Sequence, residues 1–487
     1  MFQLLSCPSA SGTLKLLNTK ASMRLPPFSL LLALSIGFSL LSPQNIRADA
    51  GETAVKKTIK PDTKEPAAAI SGKKTAGWFN LDKPEEVTEL GLVVKEFFDS
   101  NIYVTKRDNP AMGNRSSWIN SITPRAGFNF APLIEDGVEK DRILKSLSLN
   151  YAPEVSTYGS TDTESNTAHR VVNRILIKAD NFTFQADNSF FYINGCKDGP
   201  IYVNGVNAVA GSWIRERREQ IQDRARITLR CDWNDFFIRP TASLLYYDFL
   251  TNHQNDSAGF TPGYQNYVDR YDTNGGVDLG FKLNKDFAFF AGYRYGHQYQ
   301  GIVPWLPVTF SSDYQRILGG FEGKPFKWLK THVLAGPDFR NYDDPRTPAS
   351  FRAGDNSLKL FADGSATAEI TRNDTMTLRA SNFQWVSGTG RATYEEKIYQ
   401  WSYTRKLIPE LSSEIGVRAI GYDYDFPSIR EDWVHTCMAG LRYQYNANLS
   451  VNLDYSCDQG VNEIDGNNFF GREFYRHIVA LTLKFKL

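Results

Sequence analysis

The residues with the most evident chemical potential are charged side chains that alternate with apolar ones along short segments of the chain. In Thr436 to Tyr445, for example, the odd positions are apolar and the even positions include Arg442. Because successive side chains of a β-strand point to opposite faces, such charges would share one face of a sheet. The same phase, followed through the chain, gives candidates of both signs: Arg125, Arg230, Asp232, Arg239, Asp278, Lys282, Arg294, Asp363, Glu369, Arg379, Glu414, Arg418, Arg442, Asp454, Arg476 and Lys484.

Two roles are open to this charged face. If the apolar face contacts lipid, the charged face surrounds water, and its side chains set the preference of a channel for ions or solutes. Alternatively, the charges form an ion-pair network that stiffens the wall of the protein. We predict that the set lines a pore collectively, and the sequence assigns none of its members a catalytic role.

Catalytic and metal-binding roles have little support. The six histidines are scattered, with neither His-x-x-x-His nor Cys-x-x-Cys spacing, so we predict no zinc site, no redox centre and no cofactor. A membrane phospholipase would need a serine oriented by a histidine, and a membrane protease would need carboxylates with a histidine. No local motif for either surrounds His253, His297, His332 or His435. A net charge of +1 gives no field that would recruit nucleic acid. We predict neither an enzyme nor a nucleic-acid-binding protein.

The elements that would position the charges are hairpins of alternating strands. Arg224–Trp233 and Phe236–Phe249, for example, flank the turn dipeptide Asn234-Asp235. Longer polar segments such as 251–265 separate the hairpins, and short turns that alternate with long loops are typical of outer-membrane barrels. We count 18 strands, with 16 as the alternative, and an even number places both ends of the barrel on the periplasmic side. The predicted strands are Leu90–Tyr103, Trp118–Phe130, Leu144–Val155, His169–Ala179, Phe182–Ile193, Arg224–Trp233, Phe236–Phe249, Val277–Leu283, Phe287–Tyr295, Tyr314–Phe321, Trp328–Phe339, Leu358–Thr371, Thr375–Trp385, Tyr394–Thr404, Leu411–Tyr422, Thr436–Tyr445, Leu449–Tyr455 and Tyr475–Leu487.

Alternation alone also fits a soluble β-sandwich, which buries one apolar face. The number of strands, an aromatic content of 13% and the absence of a helical pattern favour the membrane barrel. Past the N-terminal region, no apolar run is long enough for a membrane helix, which excludes a helical membrane protein. We therefore predict an all-β protein whose residues 86–487 form a transmembrane antiparallel up-and-down β-barrel.

The last predicted strand carries the clearest alternation. Phe485, Leu483, Leu481 and Val479 lie on its apolar face, with Tyr475 toward the outer membrane interface. Arg476 and Lys484 are on the opposite face, and we expect the strand to pair with the first one so that no edge remains. A final strand of this kind resembles the signal that barrel-assembly machinery recognises, although it ends in Leu487 rather than Phe. The expected partners are that machinery, outer-membrane lipid and lipopolysaccharide.

The N-terminal region reads as an export signal. Arg24 precedes an apolar run from Phe28 to Leu41, and Ala48-Asp49-Ala50 supplies a small-x-small cleavage pattern. Residues 1–50 are thus predicted to be a secretory signal region cleaved near Ala50, with the true start either at Met1 or at Met23. Residues 51–85 are rich in Lys, Pro, Ala and Thr and are predicted to form a flexible periplasmic linker. Because no plug-sized segment precedes the predicted strands, we do not expect an energy-coupled barrel transporter.

Three further features leave alternatives open. Cys437 and Cys457 are equidistant from Ala447 and fall on the same apolar face, so they are either two thiols or a strained cross-strand disulfide. The loop 194–212 is unusually apolar and would either fold into the pore or extend a hairpin above the membrane. The basic cluster Arg215, Arg217 and Arg218 would attract anionic lipopolysaccharide or solute, or simply be solvated.

One stretch resembles a known family. The residues Glu96 to Tyr103, the segment 117–122 and Thr123-Pro124-Arg125-Ala126-Gly127-Phe128 resemble the opening of the outer-membrane β-barrel porins associated with exopolysaccharide loci. The resemblance covers about 35 residues, and the rest of the chain matches that family only in architecture. It implies an outer-membrane channel of a Gram-negative-type bacterium, with an exported polysaccharide as one substrate class.

Three functions follow as hypotheses. The first is a porin for passive diffusion of small hydrophilic solutes. The second is a barrel for export or assembly of exopolysaccharide that works with envelope export proteins. The third is a structural or adhesive surface barrel.

Overall fold

In the computed structural model, one sheet of long strands accounts for most of the described residues. The structure describes residues 86–102, 104, 116–135, 142–160, 162–195, 202–203, 214–215, 219–250, 254–256, 259–261, 268–302, 309–342, 358–387, 393–424, 430–464 and 473–487. The predicted signal region, cleavage position and linker lie outside these ranges.

The strands are β1 (Val87–Asp99), β2 (Ser117–Asn129), β3 (Leu144–Tyr158), β4 (Asn166–Ala179), β5 (Phe182–Ile193), β6 (Tyr202–Val203), β7 (Ile214–Arg215), β8 (Gln220–Trp233), β9 (Phe236–Phe249), β10 (Gln254–Asp256), β11 (Gly259–Thr261), β12 (Arg270–Asn284), β13 (Phe287–Gln300), β14 (Ser312–Phe326), β15 (Leu329–Tyr342), β16 (Leu358–Glu369), β17 (Asp374–Val386), β18 (Thr393–Ile408), β19 (Leu411–Tyr424), β20 (Arg430–Gln444), β21 (Leu449–Ile464) and β22 (Phe474–Lys486). A short helix, α1 (Ala131–Ile134), and a 3₁₀ turn at Asp162–Glu164 complete the regular elements.

Eighteen of these strands form one closed antiparallel sheet. Each long strand pairs with the next long strand along the chain, and β22 returns to pair with β1. The short pairs β6–β7 and β10–β11 are separate hairpins within two of the connections. The predicted up-and-down barrel and its count of 18 strands are confirmed, and the alternative of 16 is wrong.

The seam between β1 and β22 is held by side chains as well as by the strand ladder. Register runs from Gly91 opposite Lys486 to Asp99 opposite Ile478. Arg476 donates from Nη2 to Oδ2 of the buried Asp99 at 2.6 Å and from Nε at 3.0 Å. Just above, the backbone N–H of His477 donates to Oγ of Ser100 at 2.7 Å. The stretch that carries the family resemblance therefore closes the barrel.

The outer side of the sheet is apolar. Alternate residues project large hydrophobic side chains outward, including Leu279 with 61% of its surface exposed and Ile317 with 59%. Aromatic side chains are exposed near the strand ends, such as Trp233 and Phe236 beside the β8–β9 turn and Tyr475 near the opposite end of β22. As predicted, Val479, Leu481 and Phe485 belong to this outer set.

The connections differ between the two ends of the barrel. Two-residue turns join β4 to β5, β8 to β9 and β18 to β19, and slightly longer ones join β16 to β17 and β20 to β21. The β2–β3 connection contains α1, where the Glu135 carboxylate accepts hydrogen bonds from the N–H groups of Ile143 and Leu144, both at 2.8 Å. The opposite end carries the longer loops, which include the two small hairpins. Among the described residues, no helix is long and apolar enough to cross a membrane.

Candidate functional site: the interior of the barrel

Contacts between strands that are not neighbours identify the inner face. Arg230 on β8 and Arg239 on β9 both reach Glu322 on β14, at 2.9 and 2.7 Å. Because β12 and β13 separate β9 from β14 along the wall, these side chains can meet only through the interior. Strand alternation then defines an inward set of positions on every barrel strand.

The predicted charged residues occupy this inward set. It contains Arg125, Arg230, Asp232, Arg239, Asp278, Lys282, Arg294, Asp363, Glu369, Arg379, Glu414, Arg418, Arg442, Asp454, Arg476 and Lys484. Their inward orientation follows from the closed sheet, whereas their role in selecting solutes stays a prediction.

Some of these residues are brought together as ion pairs. The buried carboxylate of Asp278 binds Arg239 at 2.9 Å and Arg294 at 2.6 Å. Below them, toward the short turns, Asp232 binds Arg230 at 3.1 Å and Lys282 at 2.7 Å. The ion pairs that the alternative role requires are thus present in this part of the wall, and the stiffening itself stays a prediction.

Other predicted residues have partners that the sequence pattern did not indicate. Arg125 lies 3.5 Å from Glu89, and Arg476 binds Asp99 across the seam. Glu414 pairs with Arg442 at 2.5 Å at a more exposed site, where the two side chains are 32% and 56% exposed. The inward charges are therefore spread around the wall and do not converge on one centre.

Aromatic rings pack among the charges on β9 to β15. The guanidinium of Arg230 lies 3.8 Å from the ring centroid of Phe237, and that of Arg239 lies 4.7 Å from that of Phe290. The ring of Phe237 packs against Gly280, where any Cβ would overlap it. This glycine is required by the close approach of the ring rather than by an unusual backbone angle. One sector of the interior is consequently filled with side chains.

A second buried polar cluster lies nearer the loop end, and the sequence pattern missed it. Asp338 on β15 binds Arg316 at 2.8 Å and Arg340 at 3.0 Å. Asp272 accepts hydrogen bonds from the hydroxyl of Tyr314 at 2.8 Å and from Nε2 of Gln298 at 2.7 Å.

These residues were missed because β14 and β15 also place apolar and glycine residues inward. Leu318 and Gly320 follow Arg316 in the inward set of β14, and Leu334 and Gly336 precede Asp338 in that of β15. The usable signal was the i, i+2 spacing of Asp338 and Arg340, which matches that of Arg230 and Asp232.

The loop end of β17 does not follow the wall. Pairing of β17 with β16 stops at Asn382, but pairing with β18 continues to Val386 opposite Thr393. Residues Gln384–Ser387, which we name the inward end of β17, lie against the inner face of β13. Nε2 of Gln298 donates to the Gln384 carbonyl at 2.9 Å, and Nε2 of Gln300 donates to the Ser387 carbonyl at 2.7 Å.

An open cavity occupies the other sector of the interior. A space of about 460 Å³ lies along β20 to β22 and β1, and a second of about 560 Å³ continues toward the short turns. Arg442 and Asp454 line both spaces, so the two lie next to each other. The charged residues that line them are Lys95, Lys406, Arg442, Arg476 and Lys484 against Glu410, Glu414 and Asp454.

The remaining predicted features have mixed outcomes. Cys437 and Cys457 face each other directly, and both are free thiols. In the 194–212 loop, Tyr202–Val203 pairs with Ile214–Arg215 just beyond it, and residues 196–201 and 204–212 lie outside the described residues. Among the described residues, no group of three or more His, Cys, Asp or Glu side chains is placed to hold a metal ion.

Comparisons with known proteins add only distant structural likenesses. No protein-family model and no curated protein sequence matches the chain. Each of three solved structures covers 82% of this chain. They are OccAB3 of Acinetobacter baumannii (12% identity, 99% of that chain, TM-score 0.38), OccK2 (OpdF) of Pseudomonas aeruginosa (12%, 98%, 0.41) and the outer membrane protein opdK of Pseudomonas aeruginosa (10%, 99%, 0.39). At such TM-scores these likenesses add nothing to what the strand pairing shows.

Proposed function

We propose that this protein is an outer-membrane channel for passive diffusion of small hydrophilic solutes. The observation that carries the proposal is a closed 18-stranded sheet with an apolar outer side and a charged, water-accessible space inside. Closure leaves no free strand edge along the wall, which is the condition for a sheet to cross lipid. A barrel with this number of strands is wide enough to hold water rather than only side chains.

The geometry also suggests where solutes pass. The β8–β15 sector is filled by ion pairs and rings, so the path follows the cavity along β20–β22 and β1. Five cationic and three anionic side chains line it, and we expect a weak preference for anions. A reversal potential measured under a KCl gradient tests that preference, and a clear cation preference would contradict it.

Single-channel recording in planar bilayers tests the channel itself. We expect discrete conductance steps from the purified, refolded protein. Heat-modifiable mobility in SDS gels confirms independently that the barrel is folded in the sample. A folded, inserted barrel that never conducts would refute the proposal.

Export of exopolysaccharide remains a second candidate because of the resemblance around Asp99 and Thr123-Pro124. In the structure, Asp99 and Asn101 serve the β1–β22 seam, with Nδ2 of Asn101 donating to the Tyr475 carbonyl at 3.1 Å. The contacts of Asp99 and Asn101 at the seam account for these residues without requiring that they bind a substrate. Loss of capsule or matrix sugar on gene deletion would favour export, whereas unchanged sugar with lost solute uptake would favour the porin.

A further inference from the structure

The inward end of β17 is held against the inner faces of β12, β13 and β15 by side chains of those strands. β13 and β17 are separated by three strands along the wall, yet Gln298 and Gln300 of β13 bind carbonyl groups of residues 384 and 387. Nη1 of Arg270 donates to the Val386 carbonyl at 2.6 Å. Nη2 of Arg340 donates to the Gln384 carbonyl at 3.2 Å.

These contacts replace the hydrogen bonds that the sheet no longer provides to the backbone of β17. Where β17 leaves β16, its backbone carbonyl groups lose strand partners, and buried carbonyl groups without partners are costly. Three carbonyl groups of the inward end, those of residues 384, 386 and 387, accept hydrogen bonds from arginine or glutamine side chains of β12, β13 and β15. Gln300 and the side chain of Arg340 are 0% exposed, so water does not compete for these bonds.

The donors are themselves fixed in place. Arg340 is bound to Asp338 at 3.0 Å and donates from Nη1 to Oε1 of Gln298 at 2.6 Å. Oε1 of Gln300 accepts the N–H of Phe310 at 3.0 Å. Val386 packs against Phe310 and Tyr342, and all three are buried. This arrangement holds the inward end in one position rather than letting it lie loosely in the lumen.

The position of the inward end of β17 determines how wide the lumen is at the loop end of the barrel. An unobstructed barrel of this strand number encloses a broad aqueous lumen. Here the loop-side ends of β17 and β18 lie against the inner faces of β12, β13 and β15 and cover that sector of the interior. Solutes are then restricted to the sector beside β20–β22.

We propose that Arg270, Gln298, Gln300 and Arg340 determine the size limit of the channel by holding the inward end of β17 inside the lumen, against β12, β13 and β15. This inference rests on the proposed channel function and names the residues that set its selectivity for size. It predicts that releasing the inward end widens the path without altering the remaining wall.

The first test is conductance and solute size in the Gln298→Ala/Gln300→Ala double variant. Both side chains are truncated on the lumen side, so the strand ladder of β13 stays intact. We expect about a twofold rise in single-channel conductance and entry of larger sugars into liposomes in swelling assays. Gln222→Ala, which removes an inward glutamine of β8 outside this contact, is the matched control and should behave as wild type. Equal conductance in the folded double variant and the wild type would overturn the inference.

A second measurement does not depend on conductance. Val386→Cys, made in a background whose native cysteines are replaced by serine, places a thiol at a site that is 1% exposed. We expect a water-soluble maleimide to label it slowly, and about tenfold faster when Gln298→Ala/Gln300→Ala is added. Unchanged labelling would show that these glutamines do not hold the inward end. If wild type and double variant both fail to conduct while labelling accelerates, the channel function fails and the holding role stands.

Discussion

Asp278 is a carboxylate of the barrel wall whose removal is predicted to destabilise the protein strongly. It is 2% exposed and binds the guanidinium groups of both Arg239 and Arg294. The Asp278→Asn substitution keeps the size of the side chain but leaves two buried cations without this counter-charge. Removing one partner from a buried ion pair costs about 3 to 5 kcal/mol, because the charge that remains is desolvated and uncompensated. Arg239 retains Glu322, so we expect the lower part of that range.

The matched control is Glu414→Gln, which breaks the pair with Arg442 on the same inner face. That pair is much more exposed, and exposed ion pairs contribute about 0 to 1 kcal/mol. Reversible unfolding in urea from lipid vesicles, followed by tryptophan fluorescence, gives the free energy of unfolding of each variant. We expect Asp278→Asn to lose at least about 2 kcal/mol more than Glu414→Gln. Equal losses would refute the view that burial decides which of these charges stabilise the wall.

Two further predictions concern groups outside the lumen. Cys437 and Cys457 should remain thiols under mild oxidation. Hydrogen-bonded and non-hydrogen-bonded residue pairs alternate along an antiparallel ladder, and the Tyr445 N–H donates to the Leu449 carbonyl, so the Cys437–Cys457 pair, eight positions along, is also hydrogen-bonded. The Cβ atoms of such a pair lie too far apart for an unstrained disulfide. Thiol titration after oxidation checks this, and complete loss of both thiols as an intramolecular bridge would contradict it. Hydrogen bonds from the N–H groups of Leu144 and Ile143 hold the pKa of Glu135 below its ordinary value. The stabilisation of this turn by the Glu135 carboxylate is therefore present above the pKa of Glu135 in the unfolded chain, and it is lost as pH falls through the lowered pKa of the folded state. Amide exchange of Ile143 and Leu144, corrected for intrinsic rates, should accelerate in that pH range. The Glu135→Gln variant should show no such acceleration.

The fold was predictable because the chain repeats one signal many times. Period-two alternation with short turns identified every barrel strand, and the outward set containing Leu481 and Phe485 followed from it. Repetition compensates for errors at single boundaries, since a shifted end does not alter the phase of the strand. The predicted pairing of the last strand with the first is confirmed by the ladder between β22 and β1.

The interior was only partly predictable. Alternation placed Asp278 and Arg442 on the inner face, but it contains no information on which inward residues meet across the lumen. The contact of Arg230 with Glu322 depends on the curvature and closure of the sheet, which act over residues far apart in sequence. The inward end of β17 was not foreseen at all, because Gln384 and Val386 continue the phase of the strand while the backbone leaves the wall.

The seam between β1 and β22 also constrains how the barrel can form in time. Asp99 and Arg476, which bind across it, are separated by 377 positions in the sequence. Every other wall contact between neighbouring strands can form locally, hairpin by hairpin, whereas this one requires the ends of the sheet to find each other. Non-local closure of this kind is slow relative to hairpin formation. Until it happens, two unpaired strand edges are available to other chains, so seam closure is the step at which folding competes with aggregation.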